Sequence, residues 1–209
     1  MRRRVLKVWD LPSNGASAAL IIMAAVFLIG GLAGCTLVGR TDGNGEAALA
    51  DYLNGYLNVA ASGQTTKPDF LVLFWKTIRW PLFALCFGLT PIGLICIPFL
   101  FLARAFLLSF SIASFFHLLG SKGLFFAFAV FGLNGLIYIP VLFILGIQGF
   151  LNSGMIAGRL VGDNRRSTTF RRVDVLRCGI CFIVLLVCCF IEYSAGPAIL
   201  KSAADILLG

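Results

Sequence analysis

Charge-free stretches dominate the chain, covering residues 16–39, 80–103, 105–121, 123–158 and 178–191. A helix needs about 20 apolar residues to cross roughly 30 Å of hydrocarbon, so runs of this length predict membrane spans. Barrel strands would alternate polar and apolar positions over about 10 residues, which these blocks do not do. The pattern predicts an all-α, polytopic helical membrane protein with about five spans. The run 123–158 is 36 residues long. It would make about 54 Å of helix, too much for one straight span. Two full crossings there would carry the arginines that follow to the wrong side. One broken or re-entrant segment is therefore predicted: 124–133 enters, the chain bends at Asn134-Gly135, and 136–158 crosses. Broken helices persist in lipid only where the freed backbone is buried or lines a cavity. That turns Asn134 and Gln148 toward the bundle, as structural hydrogen-bonding groups or, in a sharper reading, as the lining of a polar path.

Between the first and second runs, residues 40–79 form an extracytoplasmic loop with its own pattern. Leu49, Tyr52, Leu53, Tyr56, Leu57 and Ala60 recur at helical spacing, giving a short amphipathic helix. Its apolar face, with Tyr52 and Tyr56, suits the outer leaflet or a partner. Residues 70–80 mix aromatic rings with Lys76 and Arg79, which fits an interfacial elbow at head-group level. The run 80–103 then returns inward and 105–119 leaves again, which places Arg104 at the inner turn as an anchor. In mid-bilayer the same residue would cost about 2.5–3.5 kcal/mol and would read as a functional site.

Charge sets orientation. The net charge is +8, and 10 of the 17 bases lie in two segments. These are Arg2, Arg3, Arg4 and Lys7 before the first run, and Arg159 to Arg177 in the last connection. Retention of basic segments inside the cell puts the N-terminus and the 159–177 loop in the cytoplasm of a multi-pass cell-membrane protein. The organisation is then a basic N-terminus (1–15), a membrane domain (16–197) and a short tail (198–209). The arginines accompany no nucleic-acid-binding fold, so the lipid bilayer is their expected partner.

The remaining motifs change little. Residues 32–35, Leu-Ala-Gly-Cys, look like a lipoprotein processing site ending at Cys35. The reading preferred here is a retained first span, in which Gly30 and Gly34 form a small-xxx-small pair for close helix approach. Cys178 and Cys181 have C-x-x-C spacing without a thioredoxin-like context. His117 is the one histidine, near the end of an apolar run. With no metal, nucleophile or cofactor constellation around it, the chain reads as a non-enzyme.

An acid interrupts the end of the last run. Residues 178–191 reach only about 21 Å as a helix, so Glu192 must come to the edge of the hydrocarbon. There an unpaired carboxylate is penalised, so donors or a base of the bundle, with Lys76 and Arg79 as the candidates, should hold it, and Pro197 should end the helix. Ile191-Glu192 followed by Pro197 resembles the close of the last span in the stage II sporulation protein M family. The glycine-marked first span, Arg104 after an apolar run, and Asn134 before Pro140 in "NGLIYIP" are similar as well. Family members tend to carry Thr before the final Pro, where this chain has Gly196.

That resemblance implies a membrane scaffold. Its partners would be peptidoglycan hydrolases resembling stage II sporulation proteins D and P, held at the septal membrane during engulfment, and self-association is compatible with the same role. The competing reading is a channel, transporter or permease subunit, motivated by the broken segment and by Arg104, Asn134 and Glu192. Against it, no inverted repeat is visible and charges inside the runs are few.

Overall fold

The computed structural model describes residues 13–40, 47, 50–51, 55, 69–128, 132–160 and 172–208. Five long helices carry the fold: α1 (Ser13–Val38), α2 (Phe70–Gly88), α3 (Gly93–Ala127), α4 (Leu133–Leu160) and α5 (Arg172–Leu208). Each contains a stretch long and apolar enough to cross a membrane, and the described residues include no strand. Large apolar side chains also point outward, among them Ile21, Leu32, Ile95, Leu136 and Phe190. Such an exterior is stable against lipid and costly against water.

Close backbone approach sets the helix directions. A Cβ on Gly30 would lie 2.5 Å from the Leu102 carbonyl oxygen, and one on Gly34 would lie 2.5 Å from that of Phe106. The two glycines thus seat α1 directly on the backbone of α3, with both helices running the same way. The small-xxx-small pair does here what its spacing predicts. Gly88 of α2 meets Gly149 of α4 in the same manner, where a Cβ would lie 2.5 Å from the facing Cα. Gly146 faces the Phe101 ring and Gly154 faces Leu94, so α4 runs against α3. Between these contacts Met23, Ile97, Phe101, Leu142, Leu145 and Leu185 are fully buried.

One end of the bundle gathers the start of α1, the α2–α3 turn, the end of α4 and the start of α5. There the Ser153 hydroxyl donates to the Pro91 carbonyl (3.1 Å), and the Gln148 amide donates to the Asp174 carbonyl (3.0 Å). Gly15 approaches Leu151 at the same level. The chain therefore enters α1, leaves α4 and enters α5 at one end, as an even number of crossings from α1 to α4 requires.

Several boundaries differ from those the charge pattern suggests. The uncharged run 80–103 contains a turn at residues 89–92. Thr90 closes it through backbone and hydroxyl bonds to the Phe87 carbonyl, each 3.0 Å, and Pro91 leads into the next helix. Residues 70–80 are accordingly not a separate elbow but the first half of α2. Arg104 is not at a turn, because α3 runs straight through it. Within the run 123–158, α3 ends at Ala127 and α4 begins at Leu133, just before the break expected at Asn134-Gly135, which lie in the first turn of α4. A separate kink lies at Gly120 (φ 59°, ψ −143°), a conformation open to glycine. Nor does Pro197 end the last helix, since α5 continues to Leu208; proline interrupts one backbone bond without stopping a helix that lipid otherwise favours. Tyr52 and Tyr56 lie outside the described residues.

Candidate functional site

Charges within the spans converge on α2. Arg79 stands nine residues from either end of α2, and Arg104 stands eleven residues into α3. At 1.5 Å per residue both lie about 14–17 Å from a span end, near the middle of a hydrocarbon layer about 30 Å thick. Arg104 is half-buried. Its guanidinium carbon sits 5.0 Å from the Tyr138 ring centroid on α4 and 5.8 Å from the Trp80 centroid on α2. Arg79 approaches the same indole at 5.7 Å.

These distances explain how an arginine survives in mid-span. Its insertion cost of about 2.5–3.5 kcal/mol meets two aromatic faces, each contributing up to about 2 kcal/mol when desolvated. Rings therefore do here what a carboxylate would do elsewhere. The Arg104 Nε and the Tyr138 hydroxyl are both buried, and the guanidinium meets the Tyr138 ring face with the phenol oxygen close beside it.

Glu192 occupies the end opposite the turn, on α5. It is half-buried. Lys76 of α2 is the base whose field acts on its carboxylate. Around it Phe70 meets Tyr193 edge-on at 5.7 Å, and Thr77, Cys188 and Cys189 are buried. Helix α2 thus connects both charged sites, with Lys76 toward Glu192 and with Arg79 and Trp80 toward Arg104.

Of the residues singled out in the sequence, Gly30 and Gly34 seat α1 on α3 within reach of Arg104's helix turn, and Glu192 meets α2. Asn134 lies one turn before Tyr138. Pro197 lies inside the continuing α5, one turn or so beyond Glu192. Trp80 and Tyr138 went unrecognised, because each looks like an ordinary aromatic in an apolar run. The available signal was Arg104 itself: a mid-run arginine with few acids to pair with calls for rings. A groove of about 510 Å³ between α3 and α4, lined by Leu108, Ile112, Leu124, Phe128, Ile139 and Pro140, is apolar.

Comparison with protein families matches residues 23–194 to Stage II sporulation protein M. The chain belongs to that family. Membership marks it as a sporulation-related membrane protein, and the matched stretch contains Gly30, Lys76, Arg79, Trp80, Arg104, Tyr138 and Glu192. Pro197 falls just beyond it. No curated protein and no solved structure matches the chain.

Proposed function

We propose that the protein is a membrane scaffold that holds peptidoglycan hydrolases, resembling stage II sporulation proteins D and P, at the membrane where engulfment proceeds. One observation carries this reading: Arg79, midway along α2, and the exposed Trp75 and Phe83 beside it lie on the side turned away from the bundle. A cation facing lipid in mid-span is costly and is suited to meeting a partner. The body behind them is sealed by backbone contacts at Gly30, Gly34 and Gly88, which suits a fixed platform.

Transport would call for polar groups along a path. The groove between α3 and α4 is apolar, and Arg104 is engaged by two rings. Affinity purification from mild detergent, with the co-purifying proteins identified, tests the scaffold. Recovery of wall hydrolases or their membrane anchors supports it; recovery of an ATPase with no hydrolase favours transport instead.

A further inference from the structure

Helix α2 packs its inner side on α4 and α5 and leaves its outer side open. Val72, Trp75, Lys76, Arg79, Phe83 and Cys86 are all exposed, at spacings of three or four residues. That is one continuous helical stripe, apolar at both ends and cationic at the centre.

Charge is unbalanced at this depth. The middle and outer parts of the described spans hold four cations, Lys76, Arg79, Arg104 and Lys122, against one acid, Glu192. Arg104 lies between Trp80 and Tyr138, and Glu192 feels Lys76. Arg79 has the Trp80 ring, and among the described residues no acid pairs with it.

Depth selects the missing group. Arg79 is nine residues from both ends of α2, about 14 Å from either boundary. Snorkelling lifts the charge only part of that way, so phosphates of the head groups are poorly placed to neutralise it. A second copy is also unsuited, because a symmetric contact would bring the same cationic stripe against itself. A carboxylate carried at mid-depth by another protein's helix meets both conditions.

We propose that the outward face of α2 docks a transmembrane helix of another protein that bears an Asp or Glu near its centre, paired with Arg79. This rests on the scaffold reading and names the chemistry of what the scaffold holds. Val72, Trp75 and Phe83 supply the flanking contact surface, and the ion pair fixes register along the helix.

The test uses the full-length protein in phosphatidylcholine vesicles. The probe is a labelled leucine-alanine helix of about 20 residues with a central Glu, compared with the same helix carrying Leu. Energy transfer between protein and probe should show the Glu helix binding about tenfold or more tightly than the Leu helix. Arg79→Gln should bring the Glu helix down to the Leu level, while Arg79→Lys should retain part of the preference. Equal binding of the two helices to the unmodified protein overturns the proposal, and that comparison needs no variant. Adding phosphatidylglycerol should leave the preference intact; its loss would make a lipid head group the occupant and also overturn the proposal. If the Glu helix fails while hydrolases still co-purify, the acidic helix is rejected and the scaffold stands. If the Glu helix binds while no hydrolase co-purifies, the docking face stands and the hydrolase is rejected.

Discussion

The guanidinium of Arg104 lies 5.0 Å from the centre of the Tyr138 ring, which joins α3 to α4 in mid-span. The phenol oxygen is buried beside the same guanidinium without a well-formed hydrogen bond. The contributions of ring and oxygen can be separated by substitution. Tyr138→Phe should change stability by less than about 0.5 kcal/mol, whereas Tyr138→Leu should cost about 2 kcal/mol by removing one desolvated face. Arg104→Lys keeps the charge but loses planar stacking, and should cost about 1 kcal/mol. Thermal unfolding in detergent measures all three. A large loss with Phe would mean that the oxygen carries the contact.

The glycine contacts give a sharper contrast. Gly34→Ala places a methyl group against the Phe106 carbonyl, and neither backbone can yield without parting α1 from α3. It should lower the melting temperature clearly and expose α1 to protease. Gly179→Ala, in α5 with open space around it, should instead stabilise by about 0.5–1 kcal/mol through helix propensity. Equal effects at the two positions would contradict the packing described here.

Glu192 and Lys76 should behave as one unit. Glu192→Ala is expected to cost about 1–3 kcal/mol and Glu192→Gln less, because the amide still offers an oxygen. Lys76→Gln should weaken the effect of either, so the double variant falls short of the sum. Full additivity in a double-mutant cycle would show that the two groups do not interact.

The helix directions make a topological prediction. Thr90 in the α2–α3 turn and Leu160 at the end of α4 are exposed at the end where the basic segments attach. Gly39, beyond α1, lies at the other end. Retention of basic segments inside predicts that single cysteines at 90 and 160 resist an impermeant label in intact cells, while one at 39 reacts. Labelling of 39 and 90 from the same side would refute the five-crossing arrangement.

Much of this was legible from residue pattern alone, for identifiable reasons. Hydrophobic length reports spans because lipid demands it, and Gly30 and Gly34 report close approach because only the absence of a side chain permits it. The charge pattern misplaced Arg104 because it treats every base as a boundary, whereas Trp80 and Tyr138 hold this one inside α3. It missed the 89–92 turn for the opposite reason: that turn carries no charge, only Thr90 and Pro91. The kink at Gly120 lay hidden among glycines, since which one takes positive φ depends on how the neighbouring helices pack.

The scaffold claim is tested most directly by a photo-reactive residue placed at Phe83, on the outward face of α2, with Ile29 on the outward face of α1 as control. Cells are irradiated during engulfment and the cross-linked proteins are identified. The account predicts that position 83 captures a peptidoglycan hydrolase or its membrane anchor and that position 29 captures lipid alone. Capture of no hydrolase component from position 83, with engulfment proceeding normally, would contradict it.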